Sequence, residues 1–188
     1  MTEYTPSHPE YEMVRTPEDL ERLLDVIGDG VAALDFEGWN IVRLAQICNA
    51  AGWWVIDFGP KENNWFSDVA HWFEGATWVV FHSGHEKRYF AKYGAFPTCW
   101  DAANLRRSLE GGGHMSLKKL VGWELGIEMD KAEQASDWDS GDLTQSQLDY
   151  AANDALWTWD AWQKMWERAD AGHRACFNMI DGMTDAVI

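Results

Sequence analysis

The chain is poor in cysteine, in positive charge and in long apolar runs, and each shortage closes off a class of function. Its cysteines are Cys48, Cys99 and Cys176, odd in number and far apart. They offer neither a disulfide framework nor a paired-cysteine metal site, which predicts a reduced, cytoplasmic setting. No apolar run reaches the roughly 18 residues of a membrane span, so no membrane partner is expected. The acidic start MTEYTPSHPEYEM does not read as a signal peptide. Lysine and arginine total 15 against 31 aspartate and glutamate, a net charge of −16. That balance excludes broad electrostatic attraction to nucleic acid, which neutralised phosphates drive. It leaves room for a small pocket that holds phosphates through metal ions, with the acids themselves as ligands.

What is present points to one globular domain. The 188 residues are 46% hydrophobic, enough for a sizeable core. Most of the 13 tryptophans are read as packing, with one or two free to stack on bases. Thr16-Pro17 opens a helix that runs to Ile27 and ends at Gly28. Strands are expected over 31–36, 41–48, 53–58 and 78–81, with turns at 38–40 and 49–52. Helices are expected over 65–73, 85–93, 102–109, 116–125 and 144–168. Residues 6–9 and the chain beyond Ala169 read as loose. Strands come first and helices dominate later, the pattern of a sheet covered by helices on its faces.

Three stretches could carry chemistry. In "ALDFEG", Asp35 and Glu37 are two residues apart and share one face of a strand, while Phe36 points to the other. Two adjacent acids either hold a cation between them or lie past the strand end in solvent. In "VVFHSGHEKRYF", Glu86 falls in the first turn of a helix, where the dipole alone would favour an acid. His82 and His85 lack a second pair of ligands at zinc spacing. In "SQLDYAANDALWTW", Tyr150 and Asp154 are four residues apart, hence on one helix face.

Taken in order, an Asp-x-Glu strand, a helical acid and a late Tyr-x-x-x-Asp helix resemble the DEDD superfamily of 3′–5′ exonucleases, specifically the Tyr subclass typified by ribonuclease D. The segment "SLKKLVGWELGIEMDKAEQASDWDSGDLTQSQLDYAANDA" carries most of it, through Lys131, Asp137, Trp138, Gln147, Tyr150 and Asp154. Gln46 in "LAQIC", Asp57 in "VIDFGP" and the stretch "FPTCWDAANL" match further family segments. The family's second motif carries Asp after a His; with one residue deleted, Glu86 takes that place behind His82. Asp101 is the fallback acid.

The resemblance implies a ribonuclease H-like α/β fold, a mixed central sheet flanked by helices. It implies a flexible segment at 1–10, an exonuclease domain at 11–168 and a C-terminal tail at 169–188. It implies two divalent ions, Mg²⁺ or Mn²⁺, held by Asp35, Glu37, Glu86 and Asp154, with Tyr150 orienting the attacking water. His82, Lys131 and Trp138 would hold the substrate strand. Single-stranded RNA or DNA 3′ ends would be the partner, RNA favoured, and nucleoside 5′-monophosphates the product. The family's helical RNA-binding module is not expected after the last helix, since about 20 residues follow it. Two other classes stay open: a nuclease-fold binding or regulatory module with weak or no activity, and an acidic decoy of nucleic acid.

Overall fold

In the computed structural model of the chain, residues 4–180 are described. A six-stranded mixed sheet runs in the order β1-β4-β3-β2-β5-β6. Strand β2 (Val31–Glu37) lies inside it, antiparallel to β3 (Leu44–Cys48), which is antiparallel to β4 (Trp53–Asp57). On its other side β2 is parallel to β5 (Thr77–Val80), and β5 to β6 (Thr98–Asp101). Strand β1 (Glu12–Val14) pairs parallel to β4 and closes the opposite edge. The helices are α1 (Pro17–Ile27), α2 (Phe66–Val69), α3 (Gly84–Lys92), α4 (Ala102–Glu110), α5 (Leu117–Glu124), α6 (Gln145–Arg168) and α7 (Ala171–Ile180). This is the mixed α/β architecture expected of a ribonuclease H-like fold.

Strand alternation splits the core in two. Ala32, Leu34 and Phe36 of β2 face α1, α2 and α3, in a cluster rich in phenylalanine. Ala33 of β2 faces α4, α5 and α6, with Leu44 and Cys48 of β3 beside it. Asp35 and Glu37 share that second face by the same period of two. Helix α6 lies across it on Ala151, Ala152 and Ala155, all fully buried, and Trp53 Nε1 donates to the Ala152 carbonyl at 2.8 Å.

Local signals explain most elements. Thr16 caps α1 by accepting from Asp19 N, Pro17 opens it, and Leu20, Leu23 and Ile27 form its buried stripe. Thr144 and Gln147 form a reciprocal capping box at the start of α6. The structure differs from expectation in five places. Strand β3 begins at Leu44, because Ile41–Arg43 are still turning: Arg43 N donates to Glu37 O at 2.8 Å. Arg43 is buried in an ion pair with Asp57. The helix expected over 65–73 is α2 followed by a 3₁₀ stretch, Ala70–Gly75. Strands β1 and β6, three and four residues long, have too little pattern to be read. Helix α7 forms where no helix was expected and buries Phe177 among Trp100, Trp162 and Trp166. Near the N-terminus, Tyr4 OH donates to Asp160 at 2.5 Å, and His8 Nε2 lies 2.6 Å from Asn49 O. Among the described residues, no helix is long and apolar enough to cross a membrane.

Candidate active site

Strand β2 continues through Glu37, so Asp35 and Glu37 project together from one sheet face rather than into a solvated loop. Helix α6 brings Asp154 against them. One carboxylate oxygen from each of Asp35, Glu37 and Asp154 lies within 4.8 Å of the others. Glu86, in the first turn of α3, flanks this group and is only 2% exposed. Its charge adds to those that push up the carboxyls of Asp35 and Glu37.

The electrostatics are those of crowded acids out of water. Burial, then Glu37, Asp154 and Glu86, hold the Asp35 carboxyl well above the usual carboxylate range. Burial, then Asp154 and Glu86, push Glu37 up to about 8. Asp154 rises to about 7 through burial, opposed by the Lys131 charge and by the neighbouring Tyr150 hydroxyl. The Tyr150 phenol is raised by burial and then by the Asp154 charge. Asp154 Oδ1 and Glu86 Oε2 are buried with no hydrogen-bond partner among the described residues. Hard divalent cations take carboxylate oxygens, and they would relieve both the repulsion and the unmet oxygens. The donor set therefore fits such ions.

The acids open onto a cleft of about 420 Å³ that Tyr150, Lys131, His82 and Trp138 also line. His82 adopts a left-handed backbone, φ 62°, at the end of β5. Asp101 holds it there: its carboxylate accepts from His82 N at 3.2 Å and Ser83 N at 3.0 Å, and caps α4 through Ala103 N at 2.9 Å. Asp101 thus braces the turn and does not join the acid group. His82 Nε2 donates to Met115 O at 2.7 Å, and the His114 ring stacks on His82 at 4.4 Å. Lys131 faces the cleft, with Nζ 3.2 Å from Gln134 Oε1. Trp138 is 2% exposed, and its ring stands 6.1 Å from that of Tyr150, backing it.

Two cleft features escaped the sequence reading, and the place of Gln46 beside the acids was not read from its family match. Trp39, placed only in a turn, sits on the cleft rim. His114 follows a glycine run that carried no signal beyond a loop. Gln46 pairs across the strands with Asp35, and both polar atoms of its buried amide lack a partner among the described residues. Register alone places it beside the acids, and register is not written in a single strand.

The sequence profile of the 3′–5′ exonuclease family matches residues 11–170. The chain is 37% identical over 125 residues to DNA polymerase I of Aquifex aeolicus (strain VF5), covering 66% of this chain and 21% of that protein. It is 35% identical over 98 residues to ribonuclease D of Shewanella sp. (strain ANA-3), covering 51% of this chain and 25% of that protein. The chain thus spans well under half of the length of either relative. The crystal structure of Escherichia coli ribonuclease D superposes with a TM-score of 0.69 at 20% identity, over 94% of this chain and 52% of that one. With the acids of β2 and α6 gathered beside Tyr150, and the family profile spanning both, the chain belongs to the DEDD superfamily of 3′–5′ exonucleases and is ribonuclease D-like.

Proposed function

We propose that this chain is an active, divalent-metal-dependent 3′–5′ exonuclease that trims single-stranded RNA or DNA ends, RNA favoured, to nucleoside 5′-monophosphates. The observation that carries the reading is the convergence of Asp35, Glu37 and Asp154 within 4.8 Å, flanked by buried Glu86, at the floor of an open cleft. Asp35, Glu37, Glu86 and Asp154 would hold two ions, Mg²⁺ or Mn²⁺. Such ions supply Lewis acidity to the attacking and leaving oxygens of an in-line displacement.

The protein's own groups supply placement. Tyr150 presents its hydroxyl beside Asp154, where it orients the attacking water toward the terminal phosphodiester. Trp138, packed behind Tyr150, fixes that ring. Lys131 and His82 flank the path of the strand, and the bracing of His82 by Asp101 keeps its ring in place. Glu86 reaches one methylene further than an Asp, and its setting in α3 brings it to the same acids. The relatives' names point to both RNA and DNA, so the sugar is settled by experiment.

Digestion of 3′- and 5′-labelled single strands of RNA and DNA tests the reading, with Mn²⁺, Mg²⁺ or chelator, beside Asp154→Asn. Metal-dependent trimming from the 3′ end, lost in the variant, is the expected result. Absence of cleavage on every strand, with Mn²⁺ still raising the melting temperature, would instead favour the metal-binding module without nuclease activity.

A further inference from the structure

We propose that Trp39 is the stacking platform for the nucleobase at the 3′ end of the substrate strand, an inference that rests on the exonuclease reading above. Trp39 lies two residues beyond Glu37 and lines the same cleft as Tyr150 and Asp154. Its side chain is 64% exposed, and among the described residues no ring packs on it. A large indole left in water forgoes the stabilisation that burial would bring. Trp123 is about as exposed, but the Arg106 guanidinium covers its ring at 5.1 Å.

The backbone beneath the indole is firmly held. Trp39 N–H donates to Asp139 Oδ1 at 3.3 Å. The Tyr89 hydroxyl donates to the carbonyls of Gly38 and Trp39 at 2.8 and 3.1 Å. Lys92 Nζ donates to the Asn40 carbonyl at 2.7 Å. Gly38 has φ 140°, and a Cβ there would stand 2.0 Å from Ile41 O, so glycine alone makes the turn. Two separate parts of the chain, α3 and the segment at Asp139, therefore pin a turn whose outermost group is an unpartnered aromatic. A turn held in place before its ligand arrives adds little backbone ordering cost to binding.

Charge selects the ligand. The cleft floor is acidic, and Lys131 is the one lysine or arginine among the described residues that line it. Phosphate neutralisation can therefore supply little of the grip. Every nucleobase has a π face, and a base stacked on an aromatic side chain contributes about 1–3 kcal/mol. Stacking asks for no particular base, which suits an enzyme that must accept each new end it exposes.

The test pairs a protein change with a substrate change. Binding of a single strand with an ordinary 3′ nucleotide is compared with that of the same strand ending in an abasic residue. Both are measured with Mn²⁺ in the Asp154→Asn protein, with Trp39 intact, as Trp39→Ala and as Trp39→Phe. Trp39→Ala is expected to weaken binding of the base-bearing strand about tenfold, as one lost stack implies. The abasic strand should bind weakly from the start and lose little more, and Trp39→Phe should restore most of the difference. Equal losses on both strands would assign Trp39 a structural role and overturn the proposal. No loss on either strand would make the indole a protein-facing patch and overturn it equally. If wild-type protein trims no strand while the base-dependent loss persists, the exonuclease reading falls and the stacking role stands. Trimming without that base dependence gives the reverse.

Discussion

The two faces of the sheet are built on opposite terms, and strand β2 belongs to both. Toward α1, α2 and α3, Phe36 meets Phe66 at 5.4 Å, Phe90 at 5.1 Å and Phe73 at 6.4 Å, edge-on or tilted. This side is an aromatic core without buried acids until Glu86 at its margin. Toward α6, the residues next in sequence are Asp35 and Glu37, which repel each other and Asp154. Both faces carry a buried apolar core, but the acid group lies on the α6 face alone. The faces are inseparable, because a slip of one residue in β2 would exchange them.

The largest test of this contrast is on the acid face. Asp154→Asn should cut nuclease activity on the order of 10³-fold while leaving the metal-free protein as stable as before or more so, since a repelled charge is removed. Label release and thermal melting on one preparation measure both. A variant that unfolds would mean that the acid face is structural after all.

On the aromatic face the signs reverse. Phe66→Ala should cost about 3–5 kcal/mol in denaturant unfolding, as emptied aromatic sites do. The folded fraction should keep its specific activity. A loss of activity per folded molecule at unchanged stability would break the comparison.

Solution conditions sharpen it next. In the metal-free protein Glu37 is raised from 4.5 to about 8 and Asp154 from 3.8 to about 7. The folded state thus holds protons that the unfolded chain has released. Their contribution to stability is greatest below the ordinary carboxylate range, falls as pH rises through 5, 6 and 7, and levels only above 8. The change should be on the order of a few kcal/mol. Saturating Mn²⁺ should flatten that slope, and its stabilising effect should be larger at pH 8 than at pH 5.5. Melting curves across this range with and without Mn²⁺ decide it; parallel curves would deny that the acids are the ion's ligands.

The smallest effect concerns Gln46. Replacing its buried amide by the similar-sized methionine should leave stability within about 1 kcal/mol or raise it slightly, since two polar atoms lose their desolvation cost. If the amide supports Asp35, Mn²⁺ affinity should drop by about 10-fold, as for other groups that orient metal ligands. A variant that is clearly less stable would show that Gln46 is paired.

Much of this was legible in the sequence because it is local. The Thr16 cap of α1, the helical phase of Tyr150 and Asp154, and the strand phase of Asp35 and Glu37 depend on residues within four positions of one another. What escaped is pairwise and distant. Strands β1 and β6 are edges whose identity comes from their neighbours. Gln46 meets Asp35 only through register. Trp138 lies in a polar stretch that gives no hint of its burial, yet it packs behind Tyr150. The left-handed turn at His82 depends on Asp101, 19 residues further on.

Ala151, Ala152 and Ala155 bear further on the reach of Asp154. They are the spacers that set how closely α6 approaches the sheet, and Asp154 rides on that helix between them. A valine at any of them would lift the helix by a fraction of an ångström, enough to spread a carboxylate cluster that tolerates little. Such a variant would bind no ligand differently by contact, yet it would read in an assay as an active-site lesion. The smallest side chains of the domain act as its calibration.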